Sequence, residues 1–370
     1  MKVLHIYKNY YPIPGGIENY IKMLAEYQVQ SGCNVTVLVS SNSRKTHTEN
    51  INGVRVIRAA SITTISRTPL SFALLKWTGC LDADITHLHF PYPWGELAYL
   101  YTGKSPHMVI TYHSDIVKQR FLLNVYRPFL FKILGKADRI IATSPTYIET
   151  SPFLQKMKSK CRVIPLGIDT NRFGNINKSL SRKIREMYNN VKIVLFVGRL
   201  RYFKGLDYLV YAMEGVDAKL LIIGTGPEEN HLKKMVSGKR MEEKILFLGD
   251  ISDEDLPAYY DACDVFVLPS SHRSEAFGTV LIEAMAAGKP VVSTELGTGT
   301  SFVNSNGKTG LVVPARAAKA LSDAINLLLK DDDFAKSLAI NAKKHAANFS
   351  KDIIAEKVLQ LYKEVAYEDR

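Results

Sequence analysis

Residues 269–292, PSSHRSEAFGTVLIEAMAAGKPVV, constrain the fold of this chain more than any other stretch. The run DVFVL at 264–268 ahead of it is short, β-branched and aromatic, the composition of a buried strand. Pro269, Ser270 and Ser271 end that strand, Gly278 and Thr279 open a helix over 280–287, and Gly288 and Pro290 stop it before a new strand. This succession puts the helix's first free N–H groups at the carboxyl edge of a parallel sheet, where a phosphate is well placed to accept them. Glu275 in the loop and Glu283 inside the helix bracket that start. Either acid reads as a plain partner of the helix dipole. As a pair they also suit two parts of one ligand, because a carboxylate can take two hydroxyl donors from a ribose or a hexose.

Strand and helix alternate along the rest of the chain. Strands are predicted at 3–6, 34–40, 54–58, 84–88 and again from 192, 220 and 246, which reads as doubly wound parallel sheet, an α/β fold. At 370 residues the chain is too long for one small core, and two domains are expected. Gly15 and Gly16 follow the first strand and either let backbone approach a ligand or make a plain turn. They do not form G-x-G-x-x-G, which argues against an ordinary dinucleotide-binding dehydrogenase. An apolar share of 46% with 23% charged residues is that of a soluble globular protein. No run of about 18 apolar residues occurs, so no spanning helix is expected. Residues 3–7 before Lys8 read as a first strand and not as a secretory signal. Cys33, Cys80, Cys161 and Cys263 form no C-x-x-C pair and read as buried thiols of a reducing cytoplasm.

The charge is unevenly divided. Residues 1–175 hold 21 Lys and Arg against 10 Asp and Glu, so that nearly all of the net +12 sits there. An anionic partner for that half follows, with nucleic acid, an acidic membrane face and a pyrophosphate-bearing lipid as candidates. Lys118, Arg120, Arg127 and Lys132 lie among large apolar residues in KQRFLLNVYRPFLFK, and RTPLSFALLKW at 67–77 has the same mixture. Such a segment is either core with a solvated cationic face or a membrane-interface helix, and two of them in the basic half favour peripheral docking. Asp82-Ala-Asp84 has the form of a metal-holding D-x-D, but it stands just before an apolar strand, where polar residues commonly end the preceding helix.

The loop EAFGTVLIE at 275–283 resembles the E-x7-E signature of the retaining nucleotide-sugar glycosyltransferases of family 4. Around it, PSxxxxEAFG and EAMAAGKPVV strengthen the likeness. GRLRYFKG at 198–205 matches that family's GRLxxxKG, TYHSD at 111–115 its THHSD-like motif, GTGP at 224–227 its GxGP, and IPLGID at 164–169 its IPxGID. The resemblance implies the GT-B fold, two Rossmann-like domains facing across a cleft. Residues 1–172 would bind the acceptor and 173–352 the nucleotide sugar, with the helix from 353 to 370 packing back on the first domain.

The same resemblance implies the site. Glu275 would lie beside the donor sugar, Glu283 would hold the ribose, and the amides from Thr279 to Leu281 would take the diphosphate, within a donor-binding run of Ala276, Phe277, Gly278, Thr279, Val280 and Leu281. Gly198, Arg199 and Lys204 would meet the diphosphate, the two cations neutralising charge on the departing group. Backbone near Ile251 would meet the base, Gly15 and Gly16 would face donor phosphate and acceptor, and His113 would hydrogen-bond a sugar hydroxyl. No cofactor and no metal are expected. The implied activity is hexose transfer with retention, from GDP-mannose first or a UDP-hexose next, to a polyprenyl-diphosphate-linked saccharide of surface-polysaccharide synthesis. The implied location is the cytoplasmic face of the inner membrane, held peripherally. A catalytically silent GT-B binding subunit and a GT-B nucleotide-sugar epimerase are the alternatives. Nucleic-acid binding would explain the charge and not the motifs.

Overall fold

The computed structural model describes residues 1–13, 15–41, 43–65, 68–116, 120–173 and 176–367. The chain forms two compact units, one of residues 1–167 with 351–370 and one of residues 168–350. The C-terminal helix Lys351–Tyr367 therefore belongs to the first unit. The two chain crossings lie together, since Ile168 bridges to Ser350 and donates its N–H to the Phe349 carbonyl at 2.9 Å.

In the first unit, β1 (Lys2–Tyr7), α1 (Gly16–Gln30), β2 (Asn34–Ser40), β3 (His47–Ile51) and β4 (Val54–Ala59) come first. A small antiparallel ribbon follows, β5 (Thr63–Ile65) with β6 (Thr68–Leu70). Then come α2 (Phe72–Cys80), β7 (Ile85–Phe90), α3 (Pro93–Thr102), β8 (His107–Tyr112), α4 (Arg120–Lys136), β9 (Arg139–Ala142), α5 (Pro145–Thr150) and β10 (Cys161–Val163). The main sheet has the order β10-β9-β8-β7-β1-β2-β4-β3 and is parallel except at the β3 edge. Strand β3 was not foreseen, because HTENI is polar and largely exposed and has no apolar alternation to announce it. The central strands are buried on both faces, as a parallel sheet between helices requires.

One face of that sheet is unusual. Register pairs His5 with His87 and His89 with Thr111. Because side chains alternate with a period of two, His5, His87, His89, Thr111 and His113 share a face. All four of these imidazoles are buried. Asp82 and Asp84 serve the start of the sheet: Lys2 Nζ reaches Asp82 at 2.6 Å and the Lys2 amide donates to Asp84 at 2.7 Å. Of the cysteines, Cys161 and Cys263 are buried but Cys80 is exposed, which corrects the expectation of four buried thiols.

The second unit runs α6 (Lys178–Met187), β11 (Ile193–Val197), α7 (Leu206–Ala212), β12 (Lys219–Ile223), α8 (Glu229–Gly238), β13 (Ile245–Gly249), α9 (Leu256–Ala262) and β14 (Val265–Leu268). It continues through α10 (Thr279–Ala286), β15 (Val291–Glu295), α11 (Thr300–Val303), β16 (Leu311–Pro314), α12 (Ala318–Lys330) and α13 (Asp332–Ala346). Its sheet is wholly parallel in the order β13-β12-β11-β14-β15-β16. The order reverses between β11 and β14, and a crevice opens at such a point.

The buried histidines give the first unit a pH dependence of known sign. Burial lowers the His5 imidazole from 6.5 to about 4 and that of His113 to about 3, and holds His87 and His89 well below their ordinary value. The unfolded chain therefore binds more protons than the folded one below pH 6.5, and stability present above that pH is lost as pH falls toward 4. Each such group contributes a slope of up to about 1.4 kcal/mol per pH unit. Buried Glu96, raised to about 7 by desolvation, works in the opposite sense, but it is one group against four. Acidification from pH 6.5 to 4 is thus expected to open the first unit before the second; hydrogen exchange that rises equally in both would contradict this.

Candidate functional site

In the second unit, β11 and β14 pair through Val194 with Val265 and Leu195 with Phe266, so the loops leaving their carboxyl ends are neighbours. Residues 198–205 form the first loop. Gly198 (φ 147°) and Gly205 (φ 65°) hold backbone conformations that a side chain disfavours. At Gly205 the approach is also close: a Cβ there would lie 2.2 Å from the Pro269 carbonyl oxygen. The Ser271 N–H donates to the Phe203 carbonyl at 2.8 Å, joining the two loops directly.

This contact brings Lys204 to Glu275. Lys204 Nζ lies 2.5 Å from Glu275 Oε2, both side chains being nearly buried. Ser270 Oγ donates to the same oxygen at 3.0 Å, and Thr298 Oγ1 donates to the Glu275 carbonyl at 2.8 Å. A Cβ on Gly198 would stand 3.6 Å from Lys204 Nζ, so Gly198 belongs to the same group. Arg199 is exposed at its edge.

Gly278 caps the start of helix α10, with a φ of 82° that only glycine takes readily. The Leu281 N–H already donates to the Gly278 carbonyl at 2.9 Å, which removes it from the amides expected to meet a diphosphate. Thr279 and Val280 remain, ahead of the helical ladder. Phe277 and Leu281 are buried in the core, Phe277 against Phe349 with ring centroids 6.0 Å apart, so their side chains face no ligand. Ala276 is half-buried.

Glu283 is held by Tyr260, whose hydroxyl donates to Glu283 Oε2 at 2.7 Å. Burial raises the carboxyl's pKa; the Tyr260 bond and the charges of Arg172 and Lys204 oppose that rise. Arg172 in turn pairs with Asp253 at 3.5 Å. The GTGP loop braces the site from behind: the Leu200 N–H donates to the Thr225 carbonyl at 2.9 Å, and a Cβ on Gly226 would fall 2.3 Å from the Leu200 carbonyl oxygen. Half-buried Ile251 follows β13, next to Asp250, which accepts from Thr225 Oγ1.

In the first unit, Gly15 precedes α1, but the Glu18 carboxylate folds over it: a Cβ on Gly15 would lie 2.1 Å from Glu18 Oε2. Nothing lies within 4 Å of the corresponding point on Gly16. A negative charge thus already occupies this helix start, which weakens Gly15 as a seat for phosphate. His113 follows β8 and is 4% exposed; its Nε2 lies 3.2 Å from His89 Nδ1 and its own Nδ1 has no partner. Arg127 and Lys132 are exposed on α4, on a helix that also exposes Leu122 and Val125. Lys118 and the side chain of Arg120 lie outside the described residues, as does Arg67.

Among the described residues one group, His5, His87 and His89, has the composition of a metal site. It does not fit one. Both nitrogens of each ring already have hydrogen-bond partners, and the His87 and His89 rings stack with centroids 4.2 Å apart.

Sequence reasoning missed Ser270, Tyr260 and Arg172, and the histidine face. Only the last left a trace, the i, i+2 spacing of His87 and His89 within an apolar strand.

Two family profiles match the chain, one described as "Glycosyltransferase Family 4" over residues 14–172 and one as "Glycosyl transferases group 1" over residues 177–345. The chain is 37% identical to D-rhamnosyltransferase WbpZ of Pseudomonas aeruginosa, covering 93% of this chain and 90% of that one. It is 33% identical to O-antigen chain mannosyltransferase C of Escherichia coli, covering 98% of each. Among solved structures, a sucrose-phosphate synthase from Thermosynechococcus elongatus is similar with a TM-score of 0.83 at 25% identity, over 98% of each chain.

The meeting of the two loops can be tested by Gly205→Ala. Strained backbone of this kind costs about 1–3 kcal/mol, which lowers the melting temperature of a unit this size by roughly several degrees. Differential scanning calorimetry should show that loss in the second unit's transition. An unshifted transition would mean that the loops do not approach as described.

Proposed function

The chain belongs to glycosyltransferase family 4, with the GT-B fold, and from that premise we propose that it transfers a hexose with retention from a nucleotide-diphosphate sugar to a hydroxyl of a lipid-linked saccharide in surface-polysaccharide synthesis. The observation that carries the reading is the buried Lys204 to Glu275 pair set beside the start of α10. Glu275, charge-balanced by Lys204, accepts hydroxyls of the donor hexose. Glu283, steadied by Tyr260, accepts those of the ribose. The diphosphate lies on the Thr279 and Val280 amides with Arg199 and Lys204 beside it. His113 of the first unit takes a substrate hydroxyl.

In the step proposed, the acceptor oxygen bonds the anomeric carbon on the face from which the diphosphate leaves. The departing phosphate oxygen takes the acceptor's proton. Negative charge grows on the diphosphate, and a cation and fixed amides in a dry site stabilise it more than water would. These groups do the work a divalent metal does elsewhere, so the reading includes no metal. GDP-mannose is the favoured donor, supported by the mannosyl- and rhamnosyltransferase names of the relatives, with UDP-hexoses next.

The acceptor side rests on the basic first half and on α4, whose exposed Leu122 and Val125 accompany Arg127 and Lys132. Apolar groups with cations on one helix suit the boundary of an anionic bilayer. Among the described residues no helix is long and apolar enough to cross a membrane. Docking on the cytoplasmic face of the inner membrane completes the proposal.

Thermal shift with GDP, UDP, ADP, dTDP and CMP tests the donor. A ligand at a hundredfold its Kd stabilises by about 2.7 kcal/mol. One nucleotide, GDP first, should shift the wild type, and Glu283→Ala should abolish the shift; no shift with any nucleotide would overturn the reading. Mass spectrometry after incubation with the donor should find no hexose bound to Glu275, and a trapped covalent adduct there would replace the front-face step. Flotation with phosphatidylglycerol vesicles should fall markedly when Arg127 and Lys132 are changed to Gln together, and unchanged flotation would remove α4 as the docking helix.

A further inference from the structure

Three of the four buried histidines of the first unit are joined in a directed chain, and the fourth, His87, lies on a side branch. Gln28 Oε1 lies 2.8 Å from His5 Nε2, His5 Nδ1 lies 3.0 Å from His89 Nε2, and His89 Nδ1 lies 3.2 Å from His113 Nε2. Burial holds all three imidazoles neutral. A neutral imidazole has one donor nitrogen and one acceptor nitrogen, so the protonation of each ring is set by its neighbour.

The direction comes from the amide at the end. Gln28 Oε1 can only accept, so His5 carries its proton on Nε2 and leaves Nδ1 bare. His89 Nε2–H must then donate to His5, and His113 Nε2–H to His89. A side branch supports this orientation of the amide: Gln28 Nε2 donates to Tyr362 Oη at 3.5 Å, Tyr362 Oη lies 2.5 Å from His87 Nδ1, and His87 Nε2 lies 2.6 Å from Thr111 Oγ1. If the amide were turned over, every proton would move and His113 Nδ1 would carry one. That would be a buried N–H without an acceptor, a rarer and costlier defect than an unused lone pair.

The chain ends at an unfilled place. His113 Nδ1 has no partner, and neither does the buried Oγ1 of Thr143. Tyr112 pairs with Ala142, so His113 and Thr143 are the next residues of their two segments at the carboxyl edge of the sheet. A bare nitrogen wants a donor and a hydroxyl can both give and accept. An alcohol group of a ligand satisfies both at once.

We infer that Gln28, His5 and His89 are positioning residues that fix His113 as its Nε2–H tautomer, so that Nδ1 is kept as an acceptor for a sugar hydroxyl of the substrate. The part that names the substrate rests on the proposal that His113 meets a substrate hydroxyl; the chain of protons does not. The tautomer excludes a carboxylate or phosphate oxygen from that place, since two acceptors would face each other.

Long-range proton–nitrogen correlation spectra of the full-length protein labelled with 15N-histidine read each ring's tautomer. The wild type without ligand should show His5, His89 and His113 all protonated on Nε2. Protonation of His113 on Nδ1 overturns the inference without need of any variant. Gln28→Leu removes the directing acceptor and should give His113 a mixed or reversed tautomer, with KM for GDP-mannose raised about threefold to tenfold, the worth of one hydrogen bond, and kcat nearly unchanged. An unaltered His113 signal in a folded Gln28→Leu protein also overturns it. GDP-mannose, or UDP-glucose in parallel, is then compared with the bare nucleotide. A shift of His113 Nδ1 that needs the sugar supports the substrate part, whereas no shift, or the same shift with nucleotide alone, removes that part and leaves the tautomer result standing.

Discussion

The second unit depends on the reversal of strand order between β11 and β14. A parallel sheet that turns back at one point has two adjacent strands whose following helices go to opposite faces, and the loops leaving them are left side by side. Here those loops are in contact through Gly205 and Pro269, so closely that no side chain fits at position 205. The Lys204 to Glu275 pair and the approach of Gly198 follow from that contact.

The pair also explains how two opposite charges can be left in a nearly dry place. An isolated ammonium or carboxylate there would be heavily disfavoured, and a buried ion pair is stable only with good geometry and its remaining positions bonded. Glu275 has Ser270 as a second donor, and its backbone is tied by Thr298. Glu283 has Tyr260. The acids are thus organised before any ligand arrives, which is the condition under which fixed polar groups stabilise developing charge without rearranging.

The first unit uses polar groups differently. Its sheet buries four imidazoles on one face, and the cost of removing them from water is offset by nearly complete hydrogen bonding from α1, the sheet and the C-terminal helix. Every imidazole nitrogen of the four has a partner except His113 Nδ1, at the carboxyl edge of the sheet. A network that is complete in the interior and open at one end is organised toward that end.

Much of this was legible in the amino-acid sequence, because strands, glycine turns and the loops GRLRYFKG and EAFGTVLIE are local patterns whose chemistry lies within a few residues. Local patterning marked most strands of both sheets but not β3, which is too polar and exposed to announce itself, nor the four-residue β16. The nearness of Gly198 and Lys204 to Glu275 and Glu283 was expected only through resemblance, since 71 residues separate Lys204 from Glu275. Their partners were beyond reach: nothing around Tyr260 or Ser270 distinguishes them from ordinary core and loop residues. The occupation of Gly15 by Glu18 and the engagement of the Leu281 amide depend on rotamer and cap geometry. The histidine face depends on the register of β1, β7 and β8, and register is fixed by the whole sheet. The sequence by itself determined which chemical groups stand at the ends of which strands; the tertiary structure decided which of them meet, because strand pairing joins residues that the chain keeps far apart.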